Sequence, residues 1–369
     1  MSFKKLNVID PIYNALTDVG YTQPTEIQTK AIPTILSGKD VISCAQTGTG
    51  KTAAFAIPIL QLLSQKPTKK KNIRALIVTP TRELALQIEE NFIDYSTNLP
   101  LKSLAIFGGV GVNPQINKLK NGVDVLIATP GRLLDLVSGK HINLSEIEIL
   151  VLDEADRMLD MGFVHDVKKI IKLVPKKRQT LFFSATMPVQ IRKFALSILN
   201  KAEEITVTPV SSTAETVQQG VYFVEKNMKT KFLVDILNDQ DSKTLIFTRT
   251  KHGADRLVKQ LKKSKIEAAA IHGNKSQNAR QRALEDFKNS TIDVLIATDI
   301  AARGIDIEAL PFVVNYELPN VPETYVHRIG RTGRAGVNGN AVSLCATEEV
   351  KDLKNIQKLI GFTIPVINK

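Results

Sequence analysis

The chain has 369 residues, is 43% apolar and 23% charged, and carries a formal net charge of +12. At roughly 150 residues per domain this is the makeup of a globular protein of two domains, which excludes a disordered, collagen-like or disulfide-stapled chain. No apolar run reaches the roughly 18 residues that cross a bilayer, and the first ten residues hold no apolar signal region, so no membrane association is expected. Cys44 and Cys345 sit in apolar runs and read as buried thiols in a reducing cytoplasm. The charge divides as +7 on residues 1–206 and +5 on the remainder, with no basic tail, so it points only diffusely to a polyanionic partner. The run Lys69 to Lys71 reads as a solvated loop.

Taken along the chain, short β-branched runs alternate with amphipathic stretches. Strands are expected at 41–45, 74–79, 103–107, 124–128, 147–152 and 180–183, with helices such as 52–64 and 82–96 between them. The pattern repeats with strands at 244–247, 268–271, 294–297, 312–316 and 341–345, and residues 351–369 read as a closing helix plus a short apolar end. The runs are apolar throughout, as in strands buried on both faces. Alternating strands and helices predict an α/β fold of mostly parallel sheets with helices on both faces. Asp124-Val125-Leu126-Ile127-Ala128-Thr129 recurs letter for letter as Asp293-Val294-Leu295-Ile296-Ala297-Thr298. Leu76-Ile77-Val78-Thr79 echoes Leu245-Ile246-Phe247-Thr248, and Ile106-Phe107-Gly108 echoes Ile271-His272-Gly273. Three echoes in order predict two domains of one design. The boundaries expected are 30–207 and 217–369, with 1–29 ahead of the first and a Pro/Ser/Thr-rich linker at 208–216.

Ala45-Gln46-Thr47-Gly48-Thr49-Gly50-Lys51-Thr52 follows a strand and opens a helix, the context of a phosphate-binding loop. Gly48 and Gly50 let backbone N–H groups turn toward phosphates, Lys51 adds a point charge, and Thr52 offers a hydroxyl to Mg²⁺. Ala45 stands where the general pattern has glycine. Asp153-Glu154-Ala155-Asp156 follows the apolar strand 149–152, where ligands bind in parallel sheets. Asp153 is suited to hold Mg²⁺, Glu154 to orient or deprotonate an attacking water, and Asp156 to bond neighbouring loops. His327-Arg328-Ile329-Gly330-Arg331-Thr332-Gly333-Arg334 packs three arginines between glycines in a half that has no phosphate loop of its own. Its arginines therefore read as donors to the nucleotide held by the first half, with a basic turn facing solvent or nucleic acid as the other reading.

The string at 153–156, with a dozen motifs in order from Phe3 to about residue 364, resembles the DEAD-box ATP-dependent RNA helicases of superfamily 2. The resemblance implies two tandem RecA-like domains, RNA-stimulated hydrolysis of ATP, and local, non-processive unwinding of short duplexes or remodelling of RNA–protein complexes. Residues 1–29 then form a Q motif region in which Gln28 reads the adenine edge beside Tyr21 and Gln23. Pro80-Thr81-Arg82, Gly108-Gly109 and Thr129-Pro130-Gly131-Arg132 are similar to motifs that hold an RNA backbone, as hydroxyls, arginines and glycine N–H groups suit. So are Thr248-Arg249, Gly273 with Gln277 and Arg280, and Thr298-Asp299. Asn274 stands where many members have Asp, and a helix cap is expected to survive the exchange. By the same resemblance Gly304 and Asp306 lie near the ribose, Arg331 and Arg334 are arginine fingers, and Lys51 and Glu154 are catalytic. Ser184, Thr186, Asp156 and His327 link hydrolysis to strand separation. The Ser2-Phe3 start and short chain resemble the bacterial RhlE-type subgroup. A monomer is expected, with ribosomal particles or RNA-degradation complexes as candidate partners. A DNA-directed helicase and an RNA clamp or annealing factor without useful unwinding are the alternatives, separated by ATPase assays on single-stranded RNA and DNA and by duplex-unwinding assays.

Overall fold

The computed structural model describes residues 2–45, 48–68, 72–207, 217–240, 242–302, 310–332 and 339–368. The linker expected at 208–216 and the Lys69 to Lys71 run lie outside the described residues, as do Gln46, Thr47, Gly304, Asp306 and Arg334. The chain divides into two compact units, Met1–Thr208 and Pro209–Lys369.

The first unit holds a seven-stranded sheet of β1 (Val41–Cys44), β2 (Ala75–Val78), β3 (Ser103–Ile106), β4 (Val125–Ala128), β5 (Ile149–Leu152), β6 (Gln179–Ser184) and β7 (Glu203–Thr206). The second holds a six-stranded sheet of β8 (Val217–Phe223), β9 (Thr244–Thr248), β10 (Ala268–Ile271), β11 (Val294–Thr298), β12 (Phe312–Asn315) and β13 (Gly339–Cys345). The orders are β3-β4-β2-β5-β6-β1-β7 and β10-β11-β9-β12-β13-β8, and all pairings are parallel. Leaving out β7, the two orders are the same permutation. The repeated hexapeptides fall on β4 and β11, which occupy equivalent places, as do β2 and β9, and β3 and β10. Both units are RecA-like α/β layers.

Successive residues of a strand point to opposite faces. In β5, Ile149 and Val151 enter one apolar cluster with Ala54, Phe55 and Phe183, while Leu150 and Leu152 enter another with Leu133, Met158 and Phe182. Helices cover both faces, so every position of β5 is apolar and no period-2 alternation shows.

Two strands were not expected. β7 is an edge strand with only Ile205 buried, so its sequence reads as a loop. β8 carries Gln218-Gln219-Gly220 near its start and follows directly on what read as linker, yet it fills in the second sheet the place of β1 in the first. The apolar end beyond the closing helix Val350–Ile360 then lies along β8: the Val221 N–H donates to the Pro365 carbonyl and the Ile367 N–H to the Val221 carbonyl, each at 2.9 Å. Gly220 leaves room there for the Ile367 side chain, whose Cδ1 a Cβ would meet at 2.2 Å. Both cysteines are free, and burial pushes the Cys44 thiol up and that of Cys345 up to about 11. Among the described residues no helix is long and apolar enough to cross a membrane.

Candidate nucleotide and nucleic-acid sites

In the first unit the motif residues gather at the carboxyl edge of the sheet, where helix N-termini and strand ends leave polar groups for ligands. β1 runs into the phosphate loop, held by the Ala45 N–H donating to the Ser184 carbonyl at 3.0 Å. Gly48 and Gly50 have φ of 83° and 91°, left-handed values that a glycine adopts without a Cβ clash. Helix Lys51–Ser64 starts there; Lys51 is buried and its Nζ donates to the Ala45 carbonyl at 2.8 Å. Thr52 is half-buried in the first helical turn.

Gln28 lies in helix Glu26–Leu36, buried, and couples that helix to the loop. Its Oε1 accepts from the Thr25 N–H at 2.9 Å, closing a capping box, and its Nε2 donates to the Gly50 carbonyl at 3.2 Å. One N–H and one lone pair of the amide stay available by count. The tie is close: a Cβ on Gly50 would meet Gln28 Nε2 at 2.4 Å. Tyr21 is half-buried, its hydroxyl accepting from Tyr95 at 2.9 Å and its ring packed on Phe3 and Tyr95. Gln23 is exposed.

Asp153 follows β5 at full burial, its Oδ1 accepting from the Glu154 N–H at 2.9 Å. Burial pushes its carboxyl up, opposed by the charge of Lys51 and reinforced by that of Glu154. Glu154 is buried at the start of helix Ala155–Asp160 with φ 52° and ψ 47°, and Arg157 Nη1 donates to both of its oxygens at 2.8 and 2.7 Å. Asp156 Oδ2 accepts from the Thr186 N–H and hydroxyl, both at 2.9 Å, and the Ser184 hydroxyl donates to the Thr186 carbonyl at 2.7 Å. Since β6 lies between β5 and β1, these bonds join the acidic motif to the phosphate loop through Ser184 and Thr186. Asp156 thus bonds a neighbouring loop, in the way its sequence position suggests.

Further along the same edge, Arg82 and Arg132 converge on the 108–110 loop. Arg132 Nη2 donates to the Val110 carbonyl at 2.9 Å, and a Cβ on Gly109 would fall 2.1 Å from the Arg82 guanidinium. The Thr81 hydroxyl caps helix Arg82–Tyr95 by accepting from the Leu84 N–H at 3.3 Å. Thr129 and Pro130 open helix Pro130–Ser138, Gly131 is exposed, and Gly108 is half-buried next to Gly109. Pro80 is buried after β2.

In the second unit the motifs again follow strand ends. Thr248 closes β9, buried, and Arg249 is bound within the protein: its guanidinium donates to the Leu318 carbonyl and, at 2.6 Å, to Asp352. Gly273 is exposed after β10, Gln277 is buried and Arg280 half-buried in helix Gln277–Lys288. Ser276, not Asn274, caps this helix, accepting from the Ala279 N–H at 3.3 Å; Asn274 Oδ1 accepts from Lys251 at 2.9 Å. Thr298 closes β11, and Asp299 opens the turn Asp299–Ala302. Arg328 holds the Asp299 carboxylate with Nε at 2.5 Å and Nη2 at 2.9 Å, while its Nη1 donates to Asn315 and to the Glu317 carbonyl. His327 is half-buried and Arg331 buried.

Sequence reading missed Arg157 and the buried pair of Lys229 and Glu349, in which Lys229 Nζ also donates to the carbonyls of Tyr316 and Leu344; it read Arg328 with its neighbours as a donor to the nucleotide, whereas the structure commits that guanidinium to Asp299. Only Arg157 left a signal, its spacing of three from Glu154.

A family model described as DEAD/DEAH box helicase matches residues 25–194, and one described as helicase conserved C-terminal domain matches residues 228–336. The DEAD-box ATP-dependent RNA helicase RhpA of Helicobacter pylori (strain B128) is 41% identical over 374 residues, covering 100% of this chain and 75% of that protein. The ATP-dependent RNA helicase CshA of Limosilactobacillus reuteri is 42% identical over 364 residues, covering 97% of this chain and 72% of that protein. Among solved structures, S. cerevisiae Dbp5 bound to RNA and ADP BeF3 is similar with a TM-score of 0.88 at 31% identity, over 99% of this chain and 95% of that one. With both units matched and curated relatives above two-fifths identity over nearly its whole length, the chain belongs to the DEAD-box family of ATP-dependent RNA helicases.

Proposed function

We propose that the chain couples RNA-stimulated hydrolysis of ATP to the local opening of short RNA duplexes, gripping RNA by its backbone. The observation that supports this reading best is the row β5-β6-β1, whose ends carry the acidic motif, Ser184 with Thr186, and the phosphate loop in one hydrogen-bonded series. Gln28 reads the adenine edge with the N–H and lone pair that its contacts to Thr25 and Gly50 leave over, and the 45–52 loop takes the phosphates. Glu154 orients the water that attacks the γ-phosphorus, and Arg331 and Arg334 answer the charge that develops on the transferred group. Arg82, Arg132, Gly109 and Arg280 hold phosphates of the RNA strand.

Mg²⁺ fits this site. Asp153 offers a hard oxygen whose charge burial leaves under-compensated, and Thr52 offers a hydroxyl at the head of the helix. No group of three or more acidic or His/Cys ligands occurs among the described residues, as suits an ion held by one or two protein oxygens plus substrate phosphates. When bound it would neutralise phosphate charge.

The domain bounds 30–207 and 217–369, a monomeric state, a cytoplasmic location and action on ribosomal or RNA-degradation particles belong to this reading. So does the RhlE-type subgroup, which rests on the Ser2-Phe3 motif. The deciding experiment is Glu154→Gln in the whole chain. Turnover with single-stranded RNA should fall by at least about 10²-fold while affinities for ADP and RNA persist. Full turnover by that variant would remove Glu154 from its role, and equal stimulation of the parent chain by single-stranded DNA would remove RNA as the preferred strand.

A further inference from the structure

The acidic motif holds one buried cation to which the reading above gives no part. Arg157 follows Glu154 by three residues, the spacing that brings two side chains onto one helical face. It is 2% exposed, and the hydrogen bonds of its side chain go to Glu154, whose two oxygens share Nη1. Its Nη2 is buried with no hydrogen-bond partner among the described residues. Arg328 supplies the contrast. It is as deeply buried, but Nε, Nη1 and Nη2 all donate, to three different residues. The hydrogen bonds of Arg328 thus span its whole fork, whereas those of the Arg157 side chain go to a single carboxylate.

Glu154 itself has left-handed backbone angles that glutamate seldom adopts. Such a conformation persists only where its surroundings over-determine it. On one side stands the Asp153 carboxylate, which takes the Glu154 N–H; on the other, Arg157 takes the side chain. Backbone and carboxylate are thus fixed from opposite ends by the residues that flank them.

We propose that Arg157 is a positioning residue of the hydrolytic site, setting the orientation of the Glu154 carboxylate toward the attacking water before ATP binds. The inference rests on the reading of Glu154 as the residue that orients this water. The hydrogen bonds of the Arg157 side chain go to Glu154, so in this role its loss lowers turnover and leaves substrate binding as it was.

The test uses the whole chain with Arg157→Met, which keeps the stem and removes the fork, and Arg157→Lys, which keeps the charge but cannot match a carboxylate in the same geometry. With saturating single-stranded RNA, kcat should fall about 10²-fold in the methionine variant, the cost of a small misplacement of a reacting group. The KM for ATP and the affinity for ADP should stay within about twofold, the split that marks an interaction used only in the transition state. Arg157→Lys should recover part of kcat. If the methionine variant does not fold, Arg157→Lys with a parental melting temperature and a kcat at least about tenfold down carries the proposal. Parental kcat in a folded variant overturns it, as does a loss of ADP affinity equal to the loss of kcat. Failure of the underlying reading looks different: Glu154→Gln would then turn over ATP normally, whereas an inactive Glu154→Gln beside a fully active Arg157→Met sinks the role of Arg157 alone.

Discussion

Asp153 and Glu154 are adjacent and equally buried, but the protein answers their charges differently. Glu154 has the Arg157 guanidinium within 2.8 Å; Asp153 accepts the Glu154 N–H and is answered at longer range by the charges of Lys51 and, more weakly, Arg157. Burial raises the Asp153 carboxyl from 3.8 to about 6. A carboxyl whose folded value is raised stabilises the fold in its protonated form, a contribution present below its ordinary value and lost as pH climbs through the raised one. Asp153→Asn should therefore stabilise the ligand-free chain at pH 8 by about 1–3 kcal/mol, with little change at pH 4, while abolishing Mg²⁺-dependent hydrolysis. Melting curves at the two pH values check this; identical melting temperatures at pH 8 would mean that the ionised carboxylate is fully compensated. Gly50 is a second single-residue constraint. Gly50→Ala should cost about 1–2 kcal/mol for the left-handed backbone alone, and should also weaken ADP binding by pushing Gln28 off the loop, as calorimetry with ADP would register. The glycine-lysine-threonine signature was legible because its chemistry is local. The need for Gly50 to sit against Gln28 was not, because 22 positions separate them.

Among the elements, sequence found every central strand, where burial on both faces demands an unbroken apolar run, and also the edge strands β3 and β10, which are written as short apolar runs. Those it missed are at or near the margins. β7 is exposed along most of its length, and β8 is interrupted by polar residues whose neighbours are chosen by tertiary packing: the Gln219 side chain accepts from the Tyr325 hydroxyl at 2.8 Å, and Gly220 makes room for Ile367. The arginine-rich motif at 327–334 divides in the same way. Its composition announced anion binding, but Arg328 is committed to Asp299 and the end of β12, so one of the three arginines braces the fold. Arg328→Met should destabilise the second unit by about 3–5 kcal/mol, the cost of leaving a partly buried carboxylate unpaired. Hydrogen exchange should quicken in β9, β11 and β12; protection unchanged in those strands would show that the ion pair is dispensable.

Across the whole molecule, the divided charge of +7 and +5 finds a counterpart in cations at the strand ends of both units. Arg82, Arg132 and Arg280, if each neutralises one phosphate of a single strand, give a slope of about −2 in log affinity against log salt. A slope near zero for the whole chain would exclude recognition by the backbone. By itself, the sequence determined the α/β class, the internal duplication, the phosphate loop and the acidic motif, because each is written in neighbouring residues whose spacing carries the physics. Tertiary structure alone decided which polar side chains hold one another: Gln28 on Gly50, Asp156 on Thr186, Arg132 on Val110, Arg328 on Asp299. These partners are far apart in the chain, and a buried polar group must be paired wherever the fold brings a complement within reach.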